Sequence, residues 1–322
     1  MSIQTQLSVP MTKRDTDWLM TSLQYAIELE HATIPPYLCG MWSVKDQQDP
    51  VAQLISSVVM EEMLHMGLAC NMLTTIGGTP EINSPGFVPT YPGPLPHGVR
   101  PSLQEVALVG LSPDVVKNTF MQIEYPEGGP IAAFALETYQ TIGAFYEAIL
   151  AAFQTLDPSA ITGKRQLTDE GLGLFAINSF ADAQKAVTTI RQQGEGTSQS
   201  PYESGFSGEY AHYYRFAEIA HGQRLIKNDE GLWVYQGDAL PFPDCWPMAK
   251  VPAEGYPQSQ AFDKTYTSLL AKLHEAWLQG SADALSDAVG IMFNLAGPAT
   301  NLLKTPIPNG QGNYGPSFKY TP

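Results

Sequence analysis

The tetrad Glu62-Met63-Leu64-His65 sits inside a long apolar run, Val51 to Ile76. No other feature constrains the chain as much. A carboxylate and an imidazole three residues apart share one face of a helix. Ionisable groups in an oily stripe are costly to bury unless they are paired or bind a metal. Glu-x-x-His on one helix is half of a carboxylate-bridged dimetal site in a helical bundle. The rest of the chain must supply the other half.

A first helix is predicted from about Asp17 to Trp42, capped by Asp15 or Thr16, with an apolar stripe through Leu23, Ile27, Ile34, Leu38 and Met41. Glu30 falls in that stripe, whereas Glu28 is rotated toward solvent. Pro35-Pro36 removes two backbone donors and predicts a kink just after Glu30. The second helix starts at Asp49-Pro50 and stops at Gly77-Gly78-Thr79-Pro80. A long Pro/Gly/aromatic loop follows, 81–100, containing Phe87, Tyr91 and His97. Short helices are expected at 101–111 and 113–122, and a turn over Glu124–Pro130. Helix three is expected over Ile131–Leu156, helix four over Leu172–Gln193 and helix five over Gly208–Leu225. Segment 231–262 shows little periodicity. Two more helices follow near 263–278 and 282–303, before a Gly/Pro-rich tail.

Helix five carries a second Glu-x-x-His, Glu209 to His212. Two such motifs on separate amphipathic helices, with a Glu buried mid-stripe on a third, form a stronger signal than either alone. Glu30 fills the terminal-carboxylate role for one half-site. Helix three offers Glu147, deep in the helix, or Glu137 for the other. Four carboxylates would neutralise two divalent cations, and these oxygen and nitrogen donors suit iron or manganese. Helix five also holds Glu218 to His221, about half a turn away. That pair cannot face the same site, and Glu209–His212 has the more apolar stripe. Glu195, between two glycines at a helix end, is a turn residue or stands in for Glu209. Glu61 reads as a flanking group, and His31 and His274 as surface or satisfied core residues. Tyr37, two turns from Glu30 on one face, is placed either to hydrogen-bond a ligand carboxylate or simply to pack. His97 in the loop and Arg215 in helix five are candidates for contact with substrate or ligands.

Composition narrows the partners. The formal net charge of −15 over 322 residues, without a Lys/Arg cluster, argues against nucleic acid and anionic membranes. Three scattered cysteines suggest neither a zinc knot nor a disulfide framework. No secretory signal or bilayer-length apolar run is visible. The expectation is a soluble, cytoplasmic protein.

The stretch Leu29-Glu30-His31-Ala32-Thr33-Ile34-Pro35-Pro36-Tyr37 resembles the ferritin-like family that includes the iminophenyl-pyruvate dimer synthases of bisindole biosynthesis. The likeness continues through Thr141–Tyr146, Gln193–Gly196, Ala211–Phe216 and Gly315–Tyr320, and so spans nearly the whole chain. It is strongest in the first two helices. The resemblance implies Glu30, Glu62, His65 and His212 as metal ligands and gives weight to Glu195. Similar sequences carry an acidic residue where this chain has Ala144, which leaves Glu147 to serve or the site short. The synthases are much longer, so indole-imine coupling is not carried over.

These readings together predict an all-α, ferritin-like up-down bundle in a single domain. Its core spans about 16–226, and additional C-terminal helices and long loops occupy about 231–322. The expected function is that of a non-haem, carboxylate-bridged diiron oxidase or oxygenase. Its cofactor would be two iron ions, with manganese as the alternative, and it would act with dioxygen on a small amino-acid-derived or aromatic metabolite. A homo-oligomer or a pathway partner enzyme is compatible with it. The competing readings are a ferroxidase or iron-storage protein and a metal-free binding scaffold.

Overall fold

The computed structural model describes residues 2–126, 142–195, 201, 209–308 and 310–322. A short helix, α1 (Ile3–Leu7), precedes the two long ones, α2 (Thr16–Ser43) and α3 (Pro50–Thr75). Asp15 caps α2 by accepting from the Trp18 N–H at 2.9 Å. Asp49 caps α3 through Val51 N–H, with Pro50 at the first helical position, where a missing donor costs nothing. Gly77, at φ 92°, and Gly78 close α3 by donating to the carbonyls of Thr74 and Leu73.

The kink expected after Glu30 is not a break, because α2 runs through both prolines. Pro36 cannot donate to the Ala32 carbonyl, but the buried Tyr91 hydroxyl does so at 2.7 Å. The Pro-rich loop thus completes the helix that its own segment covers.

The short connection 44–49 makes α2 and α3 neighbours, and both are buried over most of their length. A helical stretch follows, comprising α4 (Pro113–Val115), a π-helical turn (Val116–Phe120) and α5 (Met121–Ile123). Helices α6 (Ile142–Gln154) and α7 (Phe180–Glu195) pack together and against α2 and α3. The expected start of helix three, 131–141, lies outside the described residues, and Glu137 with it. Helix four begins later than its apolar pattern suggests. Ser179 and Asp182 form a reciprocal cap there, the Asp182 N–H donating to Ser179 Oγ and the Ser179 hydroxyl to Asp182 Oδ2.

Helix five is shorter than expected, α8 (His212–His221), and Gly222 ends it at φ 66°. Most of the preceding linker, 202–208, lies outside the described residues. The chain beyond α8 corrects the all-α expectation. Strand β1 (Gln223–Lys227) pairs antiparallel with β2 (Trp233–Ala239) across the turn at Asn228–Gly231. The β-branched and aromatic run Trp233-Val234-Tyr235 and the Gly231 turn carried that signal. Among the described residues the other regular elements are helices, with isolated β-bridges in the loops. Of the C-terminal helices, α9 (Gln260–Gln279) packs on α3 and α11 (Ala296–Leu303) on α2, while α10 (Ala282–Asn294) lies against α9.

Asn71 of α3 ties these layers together. Its side chain donates to the carbonyls of Leu167 and Phe175 and accepts from Leu167 N–H and from the Trp277 indole. Its four bonds fasten the α6–α7 connection and α9 to α3 without leaving a buried valence open.

Candidate metal centre

Two buried triads lie side by side and share one carboxylate. Glu30, Glu62 and His65 form the first, and Glu62, Glu124 and His212 the second; within each, one donor atom per residue lies within 4.8 Å of the others. The imidazole rings of His65 and His212 are 5.5 Å apart and nearly parallel.

The backbone dictates this convergence. Glu62 and His65 lie one turn apart on the inner face of α3, and Glu30 meets them from α2. His212 is the first residue of α8, and Glu124 caps the end of α5, just beyond the π-turn. A π-turn shifts the register of later side chains and is frequent at functional sites.

Each imidazole is held from behind. His65 Nε2 donates to the Gln193 amide oxygen at 2.8 Å, and His212 Nε2 donates to Glu61 at 2.8 Å. Both rings therefore turn Nδ1 toward the centre. His65 Nδ1 is 3.5 Å from Glu30 and 4.0 Å from Glu62. His212 Nδ1 is 2.8 Å from Glu62 Oε1 and 3.6 Å from Glu124 Oε2, yet it makes no aligned hydrogen bond. Buried donor atoms that crowd together without bonding one another fit a cation placed between them. An outer partner on the far nitrogen is the usual support of a metal-ligating histidine.

The carboxylates are also oriented. The Tyr146 hydroxyl donates to Glu30, the Tyr37 hydroxyl to Glu124 at 2.5 Å and the Thr33 hydroxyl to Glu62 at 3.0 Å. Glu61 is pinned by Arg215, whose guanidinium also reaches Ser57. Burial pushes Glu61 up, but the His212 hydrogen bond and the charges of His212 and Arg215 outweigh it, and Glu61 stays low.

Protons stand in for cations in the centre itself. Burial and the neighbouring Glu124 charge push the Glu62 carboxyl up to about 8, against the pull of His212. Burial disfavours charged His212, yet the surrounding carboxylates of Glu124, Glu61 and Glu62 raise it well above the ordinary imidazole value. Glu30 raises His65 in the same way, and His65 in turn holds Glu30 low against its burial. Metal ions binding here would displace these protons.

The sequence expectations divide. Glu30, Glu62, His65 and His212 come together, and Tyr37 bonds a carboxylate of the cluster. Glu147 does not join them: its side chain is 60% exposed and pairs with Arg191 at 2.8 Å, because it occupies the outer face of α6. Glu209 is 48% exposed and pairs with Arg215, because α8 starts only at His212 and Glu209 precedes the helix. The i, i+3 geometry that motivated the second motif is therefore absent. Glu195 is described only as the last helical residue of α7, and its side chain lies outside the described part. His97 stacks on Tyr25 and pairs with Glu28 at 2.5 Å, away from the cluster. Arg215 acts through Glu61. The rival pair is structural: Glu218 bonds Arg224 and the Leu225 N–H, and His221 stacks on Tyr235. His31 faces the opposite way and bonds Tyr266, and burial pushes its imidazole down to about 3. Glu124 escaped the sequence reading because it sits on no long amphipathic helix. Its one signal was an acidic residue closing the apolar run from Phe120 to Ile123.

A cleft of about 590 Å³, part of it open to solvent, reaches the first triad. Glu30, Glu62, His65 and Glu124 form its floor, with walls from the apolar Leu29, Leu95, Ile123, Ile142 and Ile190 and from two arginines, Arg100 and Arg191.

A ferritin-like family model matches residues 23–221, which include every residue of both triads. The chain belongs to the ferritin-like family. A ferritin-like protein from Caulobacter vibrioides is similar in structure, with a TM-score of 0.67 and 24% identity, over 94% of this chain and 97% of the other. That similarity extends the shared fold past the bundle to the C-terminal helices. No curated protein matches this ferritin-like chain. Among the described residues, no helix is long and apolar enough to cross a membrane.

Proposed function

We propose that this protein is a carboxylate-bridged diiron oxidase or oxygenase. The observation that carries the reading is the sharing of Glu62 between two buried Glu/His triads, as a carboxylate bridging two ions would require. Glu30 and His65 would hold one ion and Glu124 and His212 the other, with Glu62 available to both. Glu195 would supply the fourth carboxylate, in keeping with the resemblance that gives it weight. With that fourth charge two divalent ions are neutralised. The oxygen- and nitrogen-only donor set suits iron, with manganese as the competitor.

Two bound iron ions would supply the reduction of dioxygen that this chain's own side chains cannot perform. The residues do the rest. Gln193 and Glu61 fix the imidazole tautomers, and Tyr146, Tyr37 and Thr33 fix the carboxylates. The cleft would hold a small substrate against the centre, its aliphatic side chains packing on the apolar part and Arg100 and Arg191 available to an acidic group. An aromatic, amino-acid-derived metabolite suits those walls, in keeping with the resemblance to the ferritin-like part of the iminophenyl-pyruvate dimer synthases. We place the protein in the cytoplasm, in keeping with three cysteines that are all free thiols.

The alternative is iron oxidation and storage. The cleft above the centre, lined by aliphatic side chains and by the cationic Arg100 and Arg191, favours a substrate-processing site over a path for hydrated cations. Elemental analysis of protein produced with added iron tests the proposal. About two irons per chain are expected, lost in His65→Ala and His212→Ala, with oxygen uptake on adding aromatic amino-acid-derived compounds. A wild-type protein without transition metal would overturn the reading. A large hollow shell by mass measurement would support storage instead.

A further inference from the structure

A second cavity lies on the far side of the α2–α3 pair from the metal centre, and no residue lines both. It is enclosed by α2, α3, the turn at 172–174 and helices α9 and α10, with a volume of about 860 Å³ including the part open to solvent. Its inner wall is hydrocarbon and aromatic, with Leu64, Leu269, Leu270, Trp277 and Phe318 all buried. No carboxylate, lysine or arginine lines it. The polar side chains in the wall are few. His31 and Tyr266 bond one another at 2.6 Å, leaving His31 Nδ1 without a hydrogen bond. The Trp277 indole is already spent on Asn71.

Cores normally pack as densely as organic crystals, and an apolar void forfeits dispersion contacts and cannot stabilise water. A pocket walled by hydrocarbon from α2, α3, α9 and α10 and left unfilled by the chain's own side chains therefore points to an occupant. The wall dictates its chemistry. The molecule is uncharged, because a carboxylate or ammonium would find no counter-charge here. It is mostly hydrocarbon, with at most one polar group. It is also small, because every lining residue is buried except five at the mouth: Met63, Leu172, Leu273, Val289 and Met292, each half-buried and apolar. A folded partner has no surface to grip, whereas a slender molecule can pass. Met63, Met66 and Met292 give the wall unbranched, adaptable side chains.

We propose that this cavity is a binding site for a small, neutral, largely hydrocarbon molecule, separate from the metal centre. The C-terminal helices thus do more than brace the bundle: with α2 and α3 they form a second compartment. The site does not depend on the metal centre's function.

Titration calorimetry of the full-length protein with 1-octanol, and with octanoate as its charged counterpart, tests this. The expected result is one saturable octanol site per chain, with a negative heat-capacity change and at least tenfold weaker binding of octanoate. Ala288→Phe fills the cavity, and Met292→Glu places a charge at its mouth. Each should weaken octanol binding at least tenfold, and the second keeps the test valid if the first disturbs folding. Arg191→Gln, on the opposite cleft, should leave octanol binding unchanged. Equal binding of octanol and octanoate, or undiminished binding in both cavity variants, would overturn the proposal. So would the absence of saturable binding, including through a second copy of the chain covering the mouth.

Discussion

Helix α3 carries two buried polar clusters less than two turns apart, and they obey opposite rules. At Asn71, each donor meets an acceptor within the chain, and the node joins three layers. At Glu62 and His65, three carboxylates and two imidazoles converge and leave His212 Nδ1 without an aligned partner. A cluster that closes on itself is a structural device. One that closes only when something positive is added is a binding site. Burial alone does not distinguish them, and the accounting of donors and acceptors does.

The largest effect expected of this contrast is on metal content. His212→Ala should reduce iron from about two per chain to one or none, measured by elemental analysis, and the metal-free variant should melt below metal-free wild type, because Glu61 and Glu62 lose the imidazole that faces them. An unchanged metal content would erase the distinction between the clusters.

The self-contained node should respond in the opposite manner. Asn71→Ala strands several buried groups at once, each worth about 1–3 kcal/mol, so the loss should reach roughly 3 kcal/mol. Urea unfolding should give the same loss with and without iron. A loss that depends on iron would make Asn71 part of the centre.

The supports of the imidazoles come next. Glu61→Gln and Gln193→Leu should weaken metal affinity about 10- to 100-fold without altering the stoichiometry at saturation, as competition with a chelator would show. In contrast, Glu147→Gln should leave metal content unchanged and alter stability by no more than about 1 kcal/mol, because its pair with Arg191 is half in water.

The subtlest effect is on pH. The Glu62 carboxyl rises from an ordinary 4.5 to about 8 in the folded, metal-free chain. Between those values the folded state holds a proton that the unfolded chain has released. Its contribution to stability is full below about 4.5 and is lost as pH rises through about 8. Glu62→Gln should remove that part of the slope, so the variant's stability relative to wild type improves from pH 5 to pH 9. Parallel curves would place the proton elsewhere.

Much of the bundle was legible because its rules are local. Asp15 and Asp49 announce helix starts, Gly77-Gly78 announces an end, and Glu30, Glu62 and His65 stand out as charges in apolar stripes. The β-hairpin after Gly222 was missed because a short strand pair gives a weak periodic signal beside a helix. Spacing alone points to Glu147 and Glu209, but it presumes an inward face for one and an unbroken helix for the other. A helix that starts at His212 removes Glu209 from its face, and only packing shows which side of α6 points inward.

By itself the sequence determined that ionisable groups would be buried on two long helices, and that a helical bundle would have to reconcile them. Helix periodicity and the cost of an unpaired buried charge suffice for that conclusion. Tertiary structure alone decided which residues from distant segments complete the cluster. Glu124 arrives from a short helical turn, Gln193 and Glu61 set the imidazoles from behind, and Tyr91 repairs a helix interrupted by prolines. Those partners are far apart in the chain, and no local periodicity encodes a contact that exists only once the helices have packed.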